Sequence, residues 1–280
     1  MIITVLVDNR SSKPDIMGQH GLSLYIETET KNLLFDTGQD DLFIKNAEKL
    51  KKSIAAVDYL ILSHGHYDHG GGIKYFLENN KIGKIYMRSS AFLPLYSEEQ
   101  TGDYRYIGLD QDLARNPRFI LTGEEEVIEK GFDLFSGVKS YLPRASSTST
   151  LKVKIDDEYR DDPFLHEQCL IIEEKEKTVL FTGCSHTGII NILNHAFSLY
   201  GKYPDVVIGG FHLENKKGVQ KQELDALIDF DKTTKADYYT CHCTGLKETD
   251  YLTENCSQIK AVTRRRSYTN QMRATALIFL

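Results

Sequence analysis

Between positions 58 and 72 the chain reads Asp-Tyr-Leu-Ile-Leu-Ser-His-Gly-His-Tyr-Asp-His-Gly-Gly-Gly. His64, His66, Asp68 and His69 fall within six positions, directly after an apolar run of strand length. Neutral imidazoles and a carboxylate suit borderline divalent cations such as Zn²⁺, Mn²⁺ or Fe²⁺. One histidine on a polar loop is usually a satisfied structural group, but four such donors at this spacing point to a metal site. If a buried strand ends at Ser63, the loop beyond it presents His64 and His66 in one direction while Asp68 and His69 begin the next turn. The six positions can then serve two adjacent ions. The glycines at 70–72 let the backbone turn tightly beneath them.

Groups placed this way need rigid elements behind them. Apolar runs predict strands at 1–7, 22–27, 32–35, 58–63, 84–87, 168–173, 178–182, 205–208 and 237–240, with a closing strand at 275–280. Helical spacing occurs at 42–50, 73–77 and 189–200. Three times an aspartate opens a short run that ends in histidine: Asp58 to His64, Asp205 to His212, and Asp237 to His242. Leu34-Phe35-Asp36 and Leu180-Phe181-Thr182-Gly183-Cys184 also echo one another, Asp36 and Cys184 each lying 28 positions before the next of these histidines. Two similar halves packed sheet against sheet, helices outside, would bring the strand ends together. In Asp36-Thr37-Gly38 the carboxylate is expected to fix a ligating imidazole, as metal-bound histidines require. His20, in Gly18-Gln19-His20-Gly21, reads equally as a surface residue or as part of the rim. The Tyr-rich stretch 94–163 reads as an insertion covering the site with a hairpin or short helices instead of core, within a single domain spanning 1–280.

Composition narrows the class. The chain has 280 residues, 41% hydrophobic and 26% charged, enough for one large core. A net charge of -6 argues against general nucleic-acid binding, which depends on excess Lys and Arg. Five cysteines form no even disulfide framework, and neither a basic leader nor a membrane-length apolar stretch is apparent, so a cytoplasmic protein with reduced thiols is expected. Arg105, Arg118 and Arg144 are candidates for an anionic substrate, each weighed against a solvated surface charge; Arg264-Arg265-Arg266 reads as a solvated run.

His64-Gly65-His66-Tyr67-Asp68-His69 resembles the His-x-His-x-Asp-His signature of the metallo-β-lactamase superfamily. Gly21-Leu22-Ser23, Leu34 to Gly38, His166-Glu167-Gln168, Gly183 to Asn191, Gly209 to Leu213 and His242 to Gly245 extend the likeness over nearly the whole chain. They resemble the metal-dependent hydrolases of β-lactamase superfamily II, a group that includes dihydropterin ribofuranosylaminobenzene phosphate synthase. The resemblance implies an α/β fold, a four-layer αββα sandwich. It also implies two ions, with His64, His66 and His186 at one and Asp68, His69 and His242 at the other. Cys184 stands where many relatives carry a bridging Asp; a thiolate could ligate there, and a buried inert thiol is an equal reading. His166 is the alternative to His186, which is preferred for its Gly-Cys-Ser-His-Thr-Gly turn.

Two divalent ions, Zn²⁺ being the first expectation, would lower the pKa of a shared water and take up charge developing on the substrate oxygens. The expected activity is hydrolysis of a small anionic, phosphoester-like metabolite, with Asp68 and His212 catalytic, His212 as proton donor or anion stabiliser. The alternatives are a pterin-linked synthase and a metal- or ligand-sensing protein without turnover.

Overall fold

The computed structural model describes residues 1–11, 13–262 and 277–279. β1 (Ile2–Val7), β2 (Ser23–Glu27) and β3 (Asn32–Phe35) form an antiparallel meander. Parallel pairing then needs crossovers, and helices supply them. α1 (Leu42–Lys49) leads to β4 (Tyr59–Ile61) beside β3, and α2 (Tyr67–Gly70) with α3 (Ile73–Asn79) leads to β5 (Lys84–Arg88). β6 (Leu95–Glu98) and β7 (Tyr104–Tyr106) leave this sheet, and β8 (Phe119–Thr122) returns to its edge. β9 (Glu125–Glu129) and β10 (Phe132–Ser136) open a second sheet. β11 (Leu151–Ile155) and β12 (Glu158–Asp161) join β6 and β7 in a small antiparallel sheet. β13 (Gln168–Glu174) and β14 (Lys177–Phe181) continue from β10 as a meander. α4 (Ile189–Tyr200), β15 (Val206–Gly209), α5 (Lys221–Thr234), β16 (Asp237–Thr240), α6 (Leu246–Asn255) and β17 (Ile259–Ala261) then alternate, their strands parallel to β14. β18 (Leu277–Phe279) closes against β1.

The two large sheets run β18-β1-β2-β3-β4-β5-β8 and β17-β16-β15-β14-β13-β10-β9, so each joins an antiparallel meander to a parallel set. The sequence echo is visible in their registers. Leu33 and Phe35 of β3, and Val179 and Phe181 of β14, point into the core between the sheets, where the Phe35 and Phe181 rings lie 5.9 Å apart. Leu34 and Leu180, one position out of phase, face the helical layers instead. The strand period of two thus makes both faces apolar, and helices cover each outer face. The result is the αββα sandwich. Asp58 and Asp205, at corresponding places in the two halves, accept hydrogen bonds from the neighbouring strand at Asn32 N–H (2.9 Å) and Thr178 N–H (2.8 Å).

The stretch 94–163 divides in two. Its flanks make the small sheet, but 119–136 supplies β8, β9 and β10 of the main sheets, burying Phe132, Leu134 and Phe135. Their apolar positions lie next to the acidic run Glu124-Glu125-Glu126, which hides them from composition. The Arg264–Arg266 run lies outside the described residues, as do positions 275, 276 and 280 of the closing-strand expectation, whose remainder is β18. Among the described residues no helix is long and apolar enough to cross a membrane.

Candidate metal centre

β3, β4, β14, β15 and β16 all end at one edge of the sandwich, and the residues that follow them meet there. His64, His66 and His186 bring ligand-capable atoms within 4.8 Å of one another, as do His64, His69 and Cys184. His242 comes from the far end of the chain, yet its Nε2 lies 3.1 Å from His69 Nε2 and 3.3 Å from Asp68 Oδ2. Cys184 Sγ lies 3.1 Å from His69 Nε2 and belongs also to a cluster with His186 and His212. The thiol therefore sits between the two triads. Close approach of the halves depends on Gly183, because a Cβ there would overlap Ser63 Oγ and lie 2.9 Å from His64 Nδ1.

Asp36 organises the first half. Left-handed at φ 60° and fully buried, it accepts from Ser63 N–H (2.7 Å), Ser63 Oγ–H (2.7 Å) and His69 Nδ1–H (2.6 Å). With its proton directed at Asp36, Ser63 Oγ accepts from His64 Nδ1–H at 2.8 Å. His242 is held similarly: Asn9 Oδ1 accepts from its Nδ1–H at 2.8 Å, with the amide orientation fixed by Gly21 N–H and His242 C=O. These partners leave Nε2 of His64, His69 and His242 as lone-pair atoms. Two lone pairs 3.1 Å apart, beside a carboxylate, call for a cation between them.

The other triad gives a second sign of fit. His64 Nε2, His66 Nε2 and His186 Nε2 are buried without hydrogen-bond partners, a costly state that metal coordination relieves. Burial, with neighbouring imidazoles adding to it, holds His64, His66 and His186 well below the ordinary histidine value, so they stay neutral. Burial would depress His242 too, but Cys243 and Asp68 outweigh it and lift the group to about 9. Burial would likewise raise Asp68, yet His69 and hydrogen bonds from His20 and His242 hold it well below the carboxylate range. A proton on His242 thus serves in the metal-free chain where a cation would serve in the loaded one.

The remaining candidates separate. His166 is buried near His64 and His66 but has both ring nitrogens engaged: Nδ1 accepts from Gly65 N–H at 3.1 Å, and Nε2 donates to Asp162 at 2.9 Å. It is a support, not a free donor. His20, 54% exposed at its side chain, lies at the rim with Nε2 3.2 Å from Asp68 Oδ2. His212 is left-handed at φ 48°, with its ring centroid 4.5 Å from that of His186 and its buried Nδ1 unpartnered. Arg118 is structural, bonded to Asn80 and Gly83. Arg105 pairs with Glu99 over the Tyr67 ring, and Arg144 lies over Phe164, whose ring stacks on His186 at 4.8 Å. The sequence assigns no role to Asn9 or Glu167, and Cys241-x-Cys243 reads there as half of a structural zinc site that lacks its second pair. Cys243, clustered with Cys184 and His242, was visible in Cys-His-Cys; Asn9 carried no local signal.

The chain belongs to the metallo-β-lactamase superfamily, whose family profile matches residues 17–242. It is 34% identical to an uncharacterized protein of Methanocaldococcus jannaschii, covering 88% of this chain and 91% of that one. A second protein of that organism, named 7,8-dihydropterin-6-methyl-4-(beta-D-ribofuranosyl)-aminobenzene-5'-phosphate synthase, is 26% identical over 88% of each chain. Among solved structures, Tm1679, described as a metal-dependent hydrolase of the β-lactamase superfamily, superposes with a TM-score of 0.80 at 31% identity, covering 94% of this chain and 96% of that one. The fold protein YhfI of Bacillus subtilis, at 14% identity and a TM-score of 0.54 over 94% of this chain and 95% of that one, shares the fold.

Proposed function

We propose that this protein is a metal-dependent hydrolase holding two divalent ions, zinc in the first instance, and acting on a small anionic, phosphoester-like metabolite. The observation that carries the reading is the set of buried imidazole lone pairs converging on Cys184 from both halves. In this reading His64, His66 and His186 hold one ion, Asp68, His69 and His242 the other, and Cys184 lies between them. Ions so held would lower the pKa of a water and neutralise charge gathering on the substrate oxygens. Asp68, kept ionised, orients the attacking water by accepting its hydrogen bond. His212 donates a proton to the leaving group from beside His186. Arg144, over the Phe164 ring that stacks on His186 and bonded to Asp162 C=O, is the cation this reading assigns to the anionic substrate.

The test is metal analysis of the purified protein with phosphomonoester and phosphodiester model substrates, before and after chelation and re-addition of Zn²⁺, Mn²⁺ or Fe²⁺. Metal-dependent hydrolysis is expected. Two bound ions without turnover of any ester would favour a sensing role. The likeness to the synthase keeps a second reading in view, and release of pyrophosphate from a pyrophosphorylated dihydropterin on condensation would replace hydrolysis with it.

A further inference from the structure

Residues 166–168, where the chain enters β13, bond to the metal-bearing turns of both halves at once. His166 Nδ1 accepts from Gly65 N–H, midway between His64 and His66, while Asp162 holds its other nitrogen at 2.9 Å. Glu167, buried, turns the other way: Oε1 accepts from His186 N–H at 2.6 Å, and Oε2 accepts from Thr187 N–H at 3.0 Å and Thr187 Oγ–H at 2.6 Å. Gln168 anchors the bracket, its N–H donating to Ser63 O and its side-chain amide to Leu62 O, both at 2.8 Å. No other described contact ties these particular turns through consecutive residues. The His64–His66 loop belongs to one sheet and the His186 turn to the other, so their separation is not fixed by strand pairing. Beside the close approach that Gly183 allows, three adjacent residues bridge it.

We propose that Glu167, with His166 and Asp162, is a positioning unit that sets the spacing between His64/His66 and His186 and so tunes one of the two ion positions selectively. The proposal rests on the metal-centre reading above. Glu167 Oε1 faces His186 N–H, with His186 Nδ1 at 3.3 Å, and Oε2 faces Thr187 N–H and its hydroxyl, so the amide of Glu167→Gln would set its NH₂ against a backbone N–H whichever way it is turned. The turn carrying His186 must then rotate. Loss of an outer partner of a metal-ligating histidine weakens binding about 10–100-fold.

The experiment is competition of the purified full chain with a chromophoric chelator for Zn²⁺, alongside the visible spectrum of the Co²⁺-loaded protein and thermal unfolding. For Glu167→Gln we expect one of the two ions to weaken by about 10–100-fold and the other to stay within about threefold, with an altered Co²⁺ spectrum. Should Glu167→Gln fail to fold, His166→Gln and Thr187→Val, each removing one arm of the bracket, carry the same test. Unchanged affinity at both positions, or equal weakening of both, overturns the proposal. A wild-type protein that binds Zn²⁺ but hydrolyses no ester, with selective weakening in the variant, sinks the hydrolase reading and leaves this inference standing. A wild type that binds no Zn²⁺ overturns both.

Discussion

Replacing Asp36 by Asn changes one atom and should disturb both of the proposed ion positions. The backbone tolerates the change, since Asn adopts the left-handed φ of 60° found here. The new amide keeps its oxygen toward Ser63 N–H and sets NH₂ where Oδ2 faces Ser63 Oγ and His69 Nδ1. NH₂ then donates to His69 Nδ1, which moves the His69 proton to Nε2, the atom 3.1 Å from both Cys184 Sγ and His242 Nε2. It also donates to Ser63 Oγ, whose own proton turns to His64 Nδ1 and moves the His64 proton to Nε2 as well. One imidazole of each triad loses its ligating lone pair. Mutation of an outer partner typically costs about 10–100-fold in metal affinity, or ~1.4–2.7 kcal/mol, and two reversed tautomers place this variant near the upper end. Zn²⁺ competition against a chromophoric chelator measures the loss, with far-UV circular dichroism checking that the sandwich has formed. An Asp36→Asn protein that binds two ions within threefold of wild type would refute the tautomer argument.

His212→Ala should lower turnover at least tenfold while leaving both ions bound, as measured by steady-state kinetics and metal analysis on one preparation; loss of an ion would make His212 a ligand. Gly183→Ala forces a Cβ into Ser63 Oγ in a close-packed interior, a clash of about 1–3 kcal/mol that should appear as a lower unfolding midpoint and weaker metal binding. In the metal-free protein, His64, His66 and His186 have depressed values, so their contribution is complete above 6.5 and is lost as pH falls below it toward the folded values. His242 is raised, so its contribution is complete below 6.5 and is lost as pH rises through about 9. Urea denaturation of the apoprotein across pH 5–10, a range of about five units chosen to bracket both, should therefore lose stability at each end; a flat profile would contradict it. Because His242 must release its proton to bind a cation, metal affinity at its position should rise with pH by up to about tenfold per unit and level off above about 9.

Much of this molecule is written locally. His64 to His69 declares donor chemistry by spacing, and β3, α4 and β16 begin and end where their apolar periods predict. The repeat of Leu34-Phe35 and Leu180-Phe181 announces two like halves, because a strand buried on both faces needs the same pattern wherever it occurs. Partnership across distance was not legible. That His186 keeps Nε2 free and His166 does not follows from Asp162 and Gly65 N–H, groups brought to His166 by the fold. Asn9 holds His242 from 233 positions away, and no periodicity records such a contact. Sequence fixes which side chains can bind a cation, since that is a property of their atoms. Tertiary structure decides which keep a lone pair free to do so, since that depends on every donor and acceptor folded against them.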